Sequence, residues 1–308
     1  MSFFALVAAL LLERAGMLPA RDALLAWFKR YTDRVAHDLD AGEEKHAVAG
    51  WLAAVAPWAL LGLIGFFALR AISPVLGWLW NVAVLYLCIG LREVGQPLRA
   101  VSEALRTGDV ARARQLLAAW RRGGEAQLEE TDLAKAAIET ALLHGHQHLF
   151  GAIFWFVVLP GPTGAILYRL AGVLREDWGA ASETRSGPFG RVARRAFEVL
   201  DWVPARLTAV GFAIAGDFED AVSSWRQYAA PWLDRTDGIV LASGAGALWV
   251  RLGGPMPREG GVDFRPELGE GDAPDADHVL STYYLLWRTL VVWLVLLLLL
   301  TLARWVGS

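Results

Sequence analysis

Three histidines within five residues, His144, His146 and His148, form the densest group in the chain able to exchange protons near neutral pH or to ligate a metal. On a regular helix His144 and His148 share a face while His146 points away. A metal could then take two of them and would need a distant carboxylate such as Glu139. The plainer alternative makes them polar residues at the mouth of the apolar run that follows. A second group, Arg195, Glu198, Asp201 and Arg206, alternates in charge ahead of an apolar stretch and could cradle an anion. Its bland alternative is pairing along one helix, worth only about 0.3 kcal/mol per pair. Asp275, Asp277 and His278 could also ligate a metal, but the pattern is the ordinary one of a solvated helix start. Gly244-Ala245-Gly246 lacks the spacing and the Lys-Ser/Thr of a phosphate loop, and suits close contact between helices. No nucleophile elbow, Walker motif or cysteine-rich zinc pattern occurs, and the single cysteine, Cys88, excludes an internal disulfide framework.

The elements that must position these residues belong to a bilayer. From Ala47 to Leu91 the only charged side chain is Arg70, and the uncharged runs on either side each match the roughly 20 apolar residues that cross a hydrocarbon core. Spans are expected at about 47–69 and 71–91, with the chain turning at Arg70 and Ser73-Pro74 because proline cannot continue a helical ladder. A third span is expected at about 283–303. Its core, Thr289 to Ala303, is uncharged; Arg288 and Arg304 can snorkel, and Tyr283, Tyr284, Trp287 and Trp305 suit the interfacial belts. Hydrophobic residues make up 55% of the chain and mean hydropathy is +0.37, yet 20% of residues are charged, so membrane and aqueous parts are both present. A net charge of −3 with scattered basic residues gives no footprint for nucleic acid. The run Phe3 to Leu12 is about half a span, has no basic residues before it, and ends in Glu13-Arg14. It reads as an interfacial or packed helix rather than a signal peptide.

The region 92–148 reads as extramembrane and helical. Leu91, Val94, Leu98, Val101 and Leu105 fall on one helix face, Thr107-Gly108-Asp109 breaks that helix, and Asp109 can cap the next. After a polar stretch, Arg121 to Glu130, Thr131 is the expected cap of a further helix. Pro160-Gly161-Pro162 cuts the apolar segment 149–174 into halves too short to cross alone, which predicts a re-entrant hairpin whose 160–164 turn lines a cavity, with a tilted, broken single span as the alternative. Arginines crowd both Arg92–Lys135 and Arg175–Arg206, and the positive-inside bias places both on the cytoplasmic side. Val203–Gly216 and Gly238–Leu252 are expected as two short, half-buried or re-entrant helices, and Gly253–Asp277 as a loop. The class is all-α: a polytopic integral membrane protein with re-entrant or short membrane segments and a cytoplasmic helical region.

The stretch Glu198 to Gly216, EVLDWVPARLTAVGFAIAG, closely resembles the CobD/CbiB membrane proteins of cobalamin biosynthesis and the related AmpE proteins. The resemblance extends, in the same order, through Ala137-Ile138-Glu139, the apolar run ending Leu167-Tyr168-Arg169, Gly246-Ala247-Leu248 and Leu252-Gly253-Gly254-Pro255, from about residue 50 onward. Leu12-Glu13-Arg14 and Asp201-Trp202-Val203-Pro204 look more like the AmpE branch.

The resemblance implies one multi-pass bacterial inner-membrane domain over residues 1–308. Its implied activity joins a free or phosphorylated aminopropanol arm to cobyric acid through an amide bond, with ATP and magnesium if the chain is an enzyme. Implied partners are the lipid bilayer, a corrinoid or phosphorylated small molecule, and a protein in the non-catalytic alternative. Carried over by position, Glu139, Glu198 and Asp201 are the catalytic candidates, and His144, His148, Tyr168, Arg169, Arg195 and Arg206 the substrate-binding ones. Several polar positions of the pattern differ: His144 stands for an Asn, Gln147-His148 for Asp-Gly, and Gly172, Val173 and Arg175 for an Asn-Thr-x-Asp remainder. Phe197, Glu198 and Asp201 occupy the third motif's acid and amide positions. The alternative implied is an AmpE-like, non-catalytic membrane sensor in β-lactamase induction or envelope signalling.

Overall fold

The computed structural model describes residues 2–16, 20–39, 44–121, 128–179, 187–258 and 261–306. The chain divides into two compact units, one of residues 1–90 and 147–202, the other of residues 91–146 and 203–308.

The described residues of the first unit form helices and their connections. Helices α1 (Ser2–Ala15), α2 (Ala20–Leu39), α3 (Glu44–Ile72) and α4 (Pro74–Cys88) are followed by α8 (Gly151–Val158), α9 (Thr163–Gly179) and the start of α10 (Pro188–Ala215). Ser73 alone separates α3 from α4. Its hydroxyl accepts from Val75 N at 3.3 Å while Pro74 takes the first helical position, where its missing N–H costs nothing. The two helices then run side by side at short range: Trp80 Nε1 donates to the Gly62 carbonyl at 3.1 Å, and a Cβ at Gly65 would lie 2.9 Å from the Trp80 ring. Helix α1 turns Ala5, Leu6, Ala9 and Leu10 inward and packs on α4, the packed alternative expected for that run. Cys88 is buried and outside any disulfide. Phe28 of α2 joins Ala54, Val55, Leu174, Trp178 and Phe189 in one apolar cluster.

Helices α8 and α9 form the hairpin expected around Pro160-Gly161-Pro162. The turn packs closely on α3: a Cβ at Gly161 would meet the Phe66 ring at 2.7 Å.

The second unit contains α5 (Leu91–Arg106), α6 (Val110–Arg121), α7 (Glu130–Gly145), the end of α10, α11 (Phe218–Tyr228), α12 (Arg235–Leu248) and α13 (Ala276–Val306). Val94, Leu98, Val101 and Leu105 of α5 are buried against α6, α7 and α13, as their spacing demands. Gly108 takes φ +74 between α5 and α6, and Asp109 Oδ1 caps α6 through Arg112 N at 2.9 Å. Thr131 does not cap α7: the helix starts one residue earlier, after Glu129, without a side-chain cap. Of the polar stretch before it, residues 122–127 lie outside the described residues.

Two expectations for this half of the chain need correction. Val203–Gly216 is no separate short helix, because α10 starts at Pro188 and accommodates Pro204 internally. The Gly253–Asp277 loop carries strands: β1 (Leu252–Gly253) pairs antiparallel with β4 (Glu267–Leu268), and β2 (Met256–Arg258) with β3 (Gly261–Asp263). Strands this short leave no alternation to read. Gly246 permits the expected close contact, since a Cβ there would meet the Asp220 carbonyl oxygen of α11 at 2.3 Å.

Among the described residues three stretches could cross a membrane by length and composition: Glu44–Ile72, Pro74–Arg106 and Ala276–Val306. The described fold is all-α apart from four short strands, and its long apolar helices make it a membrane protein.

Candidate functional site

In the first unit α9 and α10 bring Tyr168 and Asp201 together. The Tyr168 hydroxyl donates to Asp201 Oδ1 at 2.6 Å, and both residues are buried. The phenol reaches the carboxylate because its ring is held from two sides. Phe197 lies 5.3 Å from it between centroids, and Gly151 of α8 yields the space, a Cβ there falling 2.2 Å from Tyr168 Cζ. Nearby, Trp155 Nε1 donates to the Leu200 carbonyl at 3.1 Å, tying α8 to α10, and the Arg175 guanidinium lies 5.0 Å from the Phe197 ring. Arg169 is half-buried on α9, whereas Arg195 and Glu198 are exposed on α10. A turn of helix therefore separates Glu198 at the surface from Asp201 inside.

In the second unit Glu139 of α7 is the centre. It is only 5% exposed, and its oxygens are engaged on two sides. Arg265 donates through Nη1 to Oε2 at 2.7 Å and through Nη2 to Oε1 at 3.3 Å, and the backbone N–H of Gly253 donates to Oε1 at 2.8 Å. The Gly253-Gly254 pair makes this possible, with φ values of +67 and +73 that side chains resist. A Cβ at Gly253 would also strike the Pro266 carbonyl oxygen at 2.1 Å. Trp232 lies beside the Arg265 guanidinium, 5.6 Å from carbon to ring centroid. The family-like glutamate and the family-like Leu-Gly-Gly-Pro thus meet although Glu139 and Gly253 stand 114 positions apart in the sequence. Arg265 was not expected. It falls where periodicity is absent, and its one signal is that no other basic residue occurs between Arg258 and Arg288.

The histidines do not gather. A π-helical turn spans His146–Phe150, and His146 is the fully buried one of the three, its Nδ1 2.9 Å from the Thr208 hydroxyl. The His144 ring stands edge-on to Trp120 at 5.7 Å. His148 is half-buried, and its carbonyl accepts from Gly90 N at 3.0 Å. Glu139, suggested as their distant co-ligand, is bound to Arg265 instead. Among the described residues no three His, Cys, Asp or Glu side chains gather as a metal site. Asp275 caps α13, accepting from the N–H groups of Asp277 and His278 and lying 2.7 Å from His278 Nδ1. Burial alone would raise its pKa, but those bonds and the nearby imidazole hold the carboxyl below its ordinary range. Arg206 on α10 is held below the ordinary guanidinium value by burial and then by the positive charge of Arg235.

A family model described as CobD/Cbib protein matches residues 6–286. The chain belongs to the CobD/CbiB family. The likeness begins well upstream of residue 50, where the motifs alone had placed its start. A relative in Stutzerimonas stutzeri strain A1501, named Cobalamin biosynthesis protein CobD, is 38% identical over 300 residues, covering 96% of this chain and 97% of that protein. A protein of the same name in Chromobacterium violaceum is 37% identical over 78% of this chain and 73% of its own. Another in Mycobacterium tuberculosis H37Rv is 31% identical over 70% and 71%. The AmpE alternative gains no support from these likenesses. No solved structure matches.

Proposed function

We propose that this CobD/CbiB protein acts in cobalamin biosynthesis, at the step that attaches an aminopropanol arm to the corrin acid, from a multi-pass position in the bacterial inner membrane. The observation that carries this reading is the 38% identity, over almost the full length of both chains, to a protein named for cobalamin biosynthesis. Arginine-rich segments at 92–135 and 175–206 favour a cytoplasmic face for the chemistry.

Joining a carboxylic acid to an amine forms a C–N bond and releases water, and in water the acid must first be activated. ATP with its magnesium ion is the ordinary source of that activation. Exposure sorts the three carboxylates into roles. Glu198 faces outward and is available to take the proton that the amine loses, while Asp201 and Glu139 are buried and bonded, which suits positioning. Arg195, exposed one turn before Glu198, and Arg206, within the field of Arg235, suit anionic groups of a substrate. His144, His148, Tyr168 and Arg169 keep their proposed place as binding or supporting residues on the same helices.

Complementation tests the reading. Expressed in a bacterium lacking its own cobinamide-forming protein and supplied with cobyric acid, the chain restores cobalamin-dependent growth. Absence of growth, with the protein recovered in the membrane fraction, rejects it.

A further inference from the structure

Within the second unit, between α5 and α13, an open cavity of about 470 Å³ is lined by Arg99, Ser102, Glu103, Arg106, Tyr283 and Tyr284, residues that none of the family-like motifs contains. Its place along α13 defines its surroundings. Tyr283 and Tyr284 stand just before the uncharged run Thr289–Ala303, so the cavity lies at the depth where phospholipid headgroups meet the hydrocarbon. Three arginines of α5, Arg92, Arg99 and Arg106, recur at seven-residue intervals and so occupy nearly one face of that helix. Arg99 lies over the Tyr283 ring at 5.5 Å, which aims its guanidinium at the cavity.

The charges on the lining are two arginines against one glutamate. Asp277 also approaches Arg106, at 3.7 Å, but both side chains are more than half exposed, and such a contact contributes little. A phosphate offers Arg106 the stronger, two-toothed partner. Beyond the cavity, Tyr284 heads an exposed stripe of α13 at alternating three- and four-residue steps: Arg288, whose guanidinium donates to the Ala215 carbonyl, and then Val291, Val295, Leu298 and Leu302. A basic recess at the top of an apolar stripe matches a molecule with an anionic head and long hydrocarbon tails.

We propose that this cavity holds the phosphate of an anionic phospholipid whose acyl chains lie along the Val291–Leu302 face of α13. Basic pockets between membrane helices are the ordinary form of such sites. A free phosphate ester would fill the recess but leave the stripe without a role.

The test uses the full chain in nanodiscs of phosphatidylcholine containing a minor fraction of phosphatidylglycerol, with the phosphatidylglycerol retained on the protein counted by native mass spectrometry. Wild type retains it. Arg106→Gln weakens retention by about fivefold and Arg99→Gln with Arg106→Gln by about twenty-five-fold. Arg226→Gln, an exposed arginine on α11, leaves it unchanged. Glu103→Gln moves in the opposite direction and strengthens retention, which keeps the test decisive if the double variant fails to fold. Equal retention by wild type and Arg106→Gln overturns the proposal. Displacement of the lipid by millimolar glycerol 3-phosphate also overturns it, in favour of a soluble phosphate ester.

Discussion

In the first unit a buried carboxylate, Asp201, meets the phenol of Tyr168; in the second, Glu139 meets the guanidinium of Arg265 and the N–H of Gly253. A phenol both donates and accepts, and can pass on its proton. A guanidinium only donates and keeps its protons under all ordinary conditions. The first arrangement is therefore a single bond tying two neighbouring helices, whereas the second is a charged clamp holding an irregular segment onto a helix. They also differ in how they fail. Removing Tyr168's hydroxyl deletes one hydrogen bond to a carboxylate, while removing Arg265 strands a buried charge.

Arg265→Ala is accordingly the most damaging change, expected to cost about 3–5 kcal/mol because Glu139 loses its counter-charge in a buried setting. Thermal unfolding in detergent measures it, and a variant as stable as wild type would erase the contrast between the two carboxylates. Glu139→Gln combined with Arg265→Met should recover most of that stability, since no buried charge is left unpaired and the Gln carbonyl can still accept from the Gly253 N–H. If growth on cobyric acid does not recover with it, the pair serves activity and not only folding. Tyr168→Phe should cost about 1.5–3 kcal/mol, the range for a hydrogen bond to a charged group. Gly151→Ala belongs in the same region: with a Cβ 2.2 Å from Tyr168 Cζ, overpacking should cost about 1–3 kcal/mol and push the phenol off Asp201. Tyrosine absorbance and the melting curve would register the two parts of that effect separately.

The smallest effect concerns pH. Asp275 is held below the ordinary carboxylate range in the folded chain, so its contribution to stability is complete above an unfolded value of about 4 and disappears as pH falls through the folded one. Asp275→Asn should flatten that part of the stability profile and leave the profile near pH 7 little changed. A variant that kept the wild-type acid slope would remove Asp275 from the account.

The two sites also differ in how far the bare sequence revealed them. Tyr168 and Asp201 lie on long helices whose apolar periodicity is readable, and both fall on motif positions; only their mutual contact needed coordinates. Glu139 was found the same way, but its partner was not. Arg265 lies among short strands held by glycines at positive φ, where side-chain period carries no information and register depends on contacts far away in the chain. The histidines are less legible for a related reason: a π-helical turn begins at His146, and a spacing of 3.6 residues per turn does not place side chains beyond such a turn. The α3–α4 hairpin, by contrast, was legible from charge alone, because one arginine in 45 residues leaves the bilayer as the only solvent that accepts the segment.

That hairpin has a further consequence. With a single residue, Ser73, between Ile72 and Pro74, the connection reaches only about 3.6 Å, too little for either helix to shift without the other. Parting α3 from α4 would first require unwinding a helix end, so the pair behaves as one rigid piece.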